Sequence, residues 1–222
     1  MICTHKSRTG ELSCTRPHQN IGGISISRII YISSDRKEPY ESHNWNREVT
    51  DRIREWSADS RYEADLICAD EVYRSVIKNV NCRRCDIKRK CEDMIGKSDI
   101  VIFVVGDKTA TDNAGRCNGR SCSPVYNSSE KKFCTNSSAR SPFPAWKAMS
   151  YPEFEINAAV RNKLPIILVY NSESKQEGWI PAWYIKLCQV GQVNEIARLP
   201  FWRDSEHTED RYQDIKAILL KY

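Results

Sequence analysis

The 222-residue chain predicts a parallel α/β sheet with helices on both faces, and three stretches carry that prediction. Asp99-Ile-Val-Ile-Phe-Val-Val105 is a continuous apolar run that stops at Gly106-Asp-Lys-Thr109. Far downstream, Tyr151-Pro-Glu-Phe-Glu155-Ile-Asn-Ala-Ala-Val160 reads as a short helix, and it leads into a second apolar run, Leu164-Pro-Ile-Ile-Leu-Val169. Strands that are apolar along their whole length are covered on both faces, and strand, turn, helix, strand is the order of a parallel sheet. The crevice of such a sheet lies beyond the carboxyl ends of its strands. Gly106 to Thr109 and the start of the following helix should line it, which draws attention to Glu155.

The remaining elements follow in chain order. Residues 1–25 are polar, contain Pro17, Gly22 and Gly23, and show no period, so they are expected to be a poorly ordered lead-in. The rest, residues 26–222, is expected to form a single domain. Arg28-Ile-Ile-Tyr-Ile-Ser-Ser34 is β-branched and aromatic, a first strand whose end delivers Ser33, Ser34 and Asp35 to the crevice side. Trp45, Val49, Ile53 and Trp56 recur at helical spacing, with Glu48 four residues before Arg52 on the polar face. Tyr62 to Cys68 supplies a second strand, and Val72, Val76, Ile77 and Val80 mark a helix. The helical period resumes at Ile87, Cys91, Met94 and Ile95 and ends at Gly96, read as the residue just past the helix. Between residues 110 and 150 the chain turns Ser-, Asn- and Gly-rich, with Cys117, Cys122 and Cys134 scattered through it; this is a long insertion. Beyond it, a short helical or irregular piece around Ile180 to Ile185, a strand near Ile196 to Trp202 and a helix bearing Tyr212, Ile215, Leu219 and Tyr222 close the chain.

Composition excludes several function classes. The 34 Lys and Arg against 29 Asp and Glu give a net +5, with the two signs interspersed, which is no footprint for nucleic acid. No stretch approaches the roughly 20 apolar residues of a membrane span, and Met1-Ile-Cys-Thr-His-Lys-Ser-Arg lacks an apolar signal core, so a cytoplasmic protein is expected. Ten cysteines in such a chain point to burial or metal rather than to a disulfide framework. Cys82-x-x-Cys85 has the spacing of a zinc knuckle, and Cys91, Cys117, Cys122 and Cys134 offer thiols to complete a structural zinc site. Cys91 also falls on the apolar stripe with Ile87, Met94 and Ile95, where a buried thiol is ordinary.

Two carboxylates compete at the second half of the central motif. Ser150-x-x-Glu153 is a capping box, with Pro152 tolerated in the first turn, so Glu153 is read as structural. Glu155 comes too late to cap, and the stripe of Ile156, Ala159 and Val160 leaves it at the edge of the core near the strand ends. A solvated glutamate in a first turn, favoured by the helix dipole, is the plain alternative.

Taken in order, Ile29-Ile-Tyr-Ile-Ser-Ser34, Ser98-Asp-Ile-Val-Ile-Phe-Val-Val-Gly-Asp-Lys-Thr109, Tyr151-x-x-x-Glu155-Ile-x-x-Ala159 and Lys163-Leu-Pro-Ile-Ile resemble the TIR-like family of bacterial antiphage defence, including the TIR proteins of Thoeris systems. The resemblance covers about residues 28 to 170. It implies a flavodoxin-like fold and cleavage of NAD at the nicotinamide–ribose bond, with Glu155 as the matching catalytic position. It also implies a cyclic or rearranged ADP-ribose signal for a separate effector, a phage-derived trigger, and assembly into a homo-oligomer on activation. Ser33, Ser34 and Asp35 match the polar residues after the family's first strand; Lys108 and Thr109 match its Gly-x-Lys-Thr segment, with Lys108 meeting a phosphate or solvent. Tyr151, Phe154 and Trp146 stand for the aromatics near its glutamate. The chain departs from the family at the insertion, which is placed to contact a neighbouring subunit or to cover the site. The rival from another class is a non-catalytic TIR-like sensor or adaptor, since one fold hosts many functions. Whether Glu155 lies in an open pocket beside Ser33, Ser34 and Tyr151 or is buried under the insertion discriminates the two.

Overall fold

The structure, a computed structural model, describes residues 28–34, 45–58, 65–68, 83–112, 114–116, 148–201 and 208–222. The expected lead-in, the helix over Val72 to Val80, Trp202 and all of the insertion between residues 117 and 147 lie outside them. The elements are β1 (Ile29–Ser34), α1 (Trp45–Ala58), β2 (Asp65–Cys68), α2 (Arg83–Ile95), β3 (Ile100–Val105), α3 (Tyr151–Arg161), β4 (Ile166–Tyr170), a 3-10 turn (Glu177–Trp179), α4 (Ala182–Gln189), β5 (Glu195–Pro200) and α5 (Thr208–Leu219). The five strands form one parallel sheet in the order β2-β1-β3-β4-β5, the flavodoxin-like order.

Alternation along the strands explains the two-sided core. Tyr31, Val101, Phe103, Val105, Ile166, Leu168 and Tyr170 point to one face, where they pack with Ile87, Cys91 and Ile95 of α2, Ile156 and Ala159 of α3, and Tyr184 and Leu187 of α4. The residues between them, Ile30, Ile32, Ile100, Ile102, Val104, Ile167 and Val169, meet Val49 and Ile53 of α1 and Ile215 of α5 on the other. Every residue of β3 and β4 is buried, as the unbroken apolar runs require. Arg28 donates from its guanidinium to the Leu219 carbonyl, so the approach to β1 touches the end of α5.

Two local readings change, and a third is left untested. Gly96 follows α2, but its backbone is not left-handed; its N–H bonds the Glu92 carbonyl at 2.8 Å, so the helix ends by a continued turn. Arg52 bonds Glu55 at 2.9 Å, one turn further on, whereas the expected partner Glu48 has a side chain outside the described residues. The last strand begins at Glu195 and is irregular: the register skips from Ile166↔Glu195 to Ile167↔Ala197. That bulge places Glu195 and Arg198, three residues apart, on the same face. Arg198 there bonds Glu195 at 2.5 Å and Glu177 at 2.6 Å, tying the 3-10 turn to the edge strand. Burial and the charge of Glu195 push Cys188 up to about 11, and they raise the Tyr184 phenol, which donates to Glu195 at 2.9 Å, far above its ordinary value.

Candidate active site

The start of α3 is built as its sequence specifies. Ser150 has an extended backbone (φ −64°, ψ 173°); its hydroxyl accepts from the Glu153 N–H at 3.3 Å, and its own N–H donates to the Glu153 carboxylate at 2.8 Å. This is the expected capping box, and Arg116 adds an ion pair to Glu153 at 3.2 Å. Two residues upstream of Arg116, the Ala114 carbonyl accepts from the Tyr151 N–H at 2.8 Å. Gly115 between them has φ +87°, and a Cβ there would lie 2.7 Å from the Tyr151 ring. Both shores of the insertion are therefore fastened to the first turn of α3.

From that start, every residue from Pro152 to Val160 is buried. Glu155 is not at the edge of the core: it is 0% exposed, because its side of α3 is closed by β1 and α2. Ser33, also 0% exposed, donates its hydroxyl to the Glu155 carboxylate at 2.5 Å. Ser33 reaches it by strand parity, sharing with Tyr31 the face on which α2 and α3 pack. From α2, Cys91 joins Tyr31 in the buried cluster on this face of the sheet. Burial first, and then the charge of Glu155, hold the Cys91 thiol well above its ordinary pKa, so it stays protonated at neutral pH. A buried neutral thiol of this kind is not a nucleophile.

The other sequence candidates are distributed as follows. Ser34 is half-buried at the end of β1, and Thr109 is 1% exposed, its hydroxyl accepting from the Gly106 N–H at 2.8 Å to close the turn after β3. Lys108, in that turn, is exposed. Tyr151 is partly buried against Gly115, and Phe154 is fully buried. Asp35, Trp146 and Cys82 lie outside the described residues, as does the side chain of Cys85, so the zinc expectation falls there too. Among the described residues, no three His, Cys, Asp or Glu side chains gather to hold a metal.

Sequence reasoning missed the partners rather than the glutamate. Lys88 of α2 is 2% exposed; its ammonium donates to the Met149 carbonyl at 2.7 Å and lies 5.7 Å from the Phe154 ring, joining α2 to the entry of α3. Its position one turn before Cys91, on the buried side of the helix, was the available signal. Tyr31 gave none, being indistinguishable from any aromatic of a buried strand.

No family model matches the chain, and no curated protein matches it. Among solved structures it is similar to a prokaryotic SEFIR domain, with a TM-score of 0.41, 13% identity and coverage of 86% of this chain and 98% of that one. It is similar also to a CMP N-glycosidase of Clostridium botulinum, at TM-score 0.38 and 11% identity over 86% and 99% of the two chains. A Klebsiella pneumoniae protein described as a quinone reductase follows at 0.35 and 8%, over 88% and 83%. These likenesses are too distant to bear on chemistry, which is read from the residues alone.

Proposed function

We propose that the chain cleaves the N-glycosidic bond of NAD, with Glu155 as the catalytic carboxylate. Supporting this reading is one observation: a fully buried carboxylate, held by Ser33 near the carboxyl end of β1, where the strand order turns. Burying a carboxylate there costs several kcal/mol unless other groups satisfy it. Such a position is a functional-site candidate on physical grounds.

A single carboxylate suffices for this bond. Nicotinamide is already a cationic leaving group, so the bond from C1′ to the pyridinium nitrogen breaks with its electron pair going to that nitrogen, and neutral nicotinamide departs without a general acid. The Glu155 carboxylate stabilises the oxocarbenium charge that develops on the ribose. Water then forms the new C–O bond, releasing a proton and giving ADP-ribose; attack by an internal group gives a cyclic or rearranged product instead. The ribose reaches Glu155 only after the side chains now covering it shift. The rest of the proposal, a nucleotide signal read by a separate effector in antiphage defence and raised when the protein self-assembles, rests on the family resemblance.

In the second reading, a non-catalytic sensor or adaptor, the bond from Ser33 to Glu155 is a structural tie between β1 and α3. Incubation of dilute and concentrated protein with NAD, followed by mass spectrometry of the products, separates the two. Turnover by the wild type, loss of at least a hundredfold in Glu155→Gln and a partial loss in Ser33→Ala are expected. Turnover of Glu155→Gln at the wild-type rate would refute the catalytic assignment, and an inert wild type at both concentrations leaves the adaptor reading.

A further inference from the structure

Two polar ties hold α2 against α3. Near the start of α3, the Lys88 ammonium donates to the Met149 carbonyl at 2.7 Å and stands 5.7 Å from the centre of the Phe154 ring. Near the end of α3, Arg161 pairs with Glu92 of α2 at 2.6 Å. The ties are unequal in strength. Arg161 and Glu92 have side chains 34% and 28% exposed, where an ion pair contributes little. Lys88 is 2% exposed and Met149 is 0% exposed, so removing the ammonium takes a charged donor from a buried carbonyl.

The two ends of α2 also differ in how they are anchored. Past its last turn, the Ser98 hydroxyl donates to the Met94 carbonyl at 2.8 Å. The Asp99 N–H donates to the Ile29 carbonyl at 2.8 Å, and the Asp99 carboxylate accepts from the Ile29 N–H at the same distance. These bonds fix the end of α2 to the start of β1, and Lys88 ties its first half to the entry of α3. Successive helix residues point about 100° apart. With Phe154 under the α2 ammonium and Glu155 bonded to Ser33 of β1, Glu155 lies in the wedge between α2 and β1.

We propose that the Lys88–Met149 bond is an autoinhibitory latch. It closes the first half of α2 over the wedge that holds Glu155, and its release lets that half swing away about the fixed last turn and admits the ribose. The consequence for turnover rests on the catalytic reading of Glu155, but the latch itself is testable without it.

Cys91, one turn beyond Lys88 and 0% exposed, is a built-in reporter of this opening, and the half-buried Cys188 of α4 reports on a part of the fold that the latch does not touch. The wild type, Lys88→Met and Glu92→Gln are treated with iodoacetamide in native buffer, and alkylation of each cysteine is followed by peptide mass spectrometry. Lys88→Met keeps the length of the side chain and removes the donor, so Cys91 should react about tenfold faster, with Cys188 unchanged within about twofold. Glu92→Gln should accelerate Cys91 by less than about threefold. Equal Cys91 rates in the wild type and Lys88→Met overturn the latch, and so does a parallel rise at both cysteines, the mark of general loosening. Should Lys88→Met fail to fold, the wild type decides: Cys91 should react through a local opening that depends on urea less steeply than global unfolding does, and reaction only through global unfolding overturns the latch. If the wild type turns NAD over, kcat/KM should rise about threefold or more in Lys88→Met, because more molecules are open. An active protein in which Cys91 accelerates without that rise overturns the autoinhibitory role. A wild type without turnover but with the expected Cys91 acceleration sinks the enzymatic reading and leaves the latch standing.

Discussion

Gly115 shows how one residue far from α3 in sequence bears on its first turn in space. Its φ of +87° favours glycine, and its missing side chain leaves room for the Tyr151 ring at 2.7 Å from where a Cβ would stand. Gly115→Ala should therefore destabilise the fold by about 1–3 kcal/mol through backbone strain and displacement of the ring; urea unfolding measures it, and an unchanged midpoint counts against the contact. Glu155 yields the opposite expectation. Replacing a buried carboxylate by the amide in Glu155→Gln removes a desolvated charge, so the thermal midpoint should hold or rise while turnover disappears, the pattern of a group kept for function at a cost in stability. A marked fall in the midpoint would mean that the carboxylate serves the fold. The sequence singles out Glu155 through the residues around it, but not its burial, because Tyr31, Cys91 and Ser33 come from two other elements and are joined only by packing.

At the scale of elements, the start of α3 was legible because a capping box is a local pattern, four residues long, whose donors and acceptors are all in view. Ser150→Ala should cost about 1 kcal/mol of stability, and Glu153→Gln up to about 1, with the loss of the Arg116 ion pair included in the latter. Parallel chemical-denaturation curves check both. The bulge in β5 was not legible, since it exists only in the pairing of β4 with β5. Its consequence for pH follows from the groups it gathers. In the folded chain Cys188 keeps its proton up to about 11 and Tyr184 keeps its own higher still, whereas in the unfolded chain both ionise at ordinary values. The folded state thus binds these protons more tightly, and the associated stability is complete below the unfolded pKa and is lost as pH rises through the folded one. The thermal midpoint should fall between about pH 8 and about pH 10.5, and fall less in Cys188→Ser. An equal fall in wild type and variant removes Cys188 from the account.

Over the whole molecule, the parallel direction of the strands could be anticipated because β3 and β4 are unbroken apolar runs and each is preceded by a helical period, whereas their order was implied only by the family resemblance. The insertion was legible only as an interruption. Its shores were not, for Ala114 to Arg116 look like any turn until they are seen bonded to Tyr151 and Glu153. Those bonds locate where the chain can be shortened. Deleting residues 118–146 and bridging Cys117 to Lys147 with a short Gly/Ser linker should leave the sheet folded, because Ala114 and Tyr151, which flank the cut, are bonded to each other. A deletion that also removes Asn113 to Arg116 should lose stability, because it takes away the partners of α3. Circular dichroism and thermal unfolding of the two variants distinguish them, and equal stability would show that the shores carry no weight.

The contact between Arg28 and the Leu219 carbonyl has a further implication: the sheet's two covalent extremities are neighbours. A short bridge from Tyr222 back to Arg28, with new ends opened inside residues 117–147, would make a ring-closed and re-cut chain in which β4 and β5 are synthesised before β1 and β3. Since every pairing in the sheet is parallel and set by side-chain packing, the same architecture should form from this reversed order of emergence.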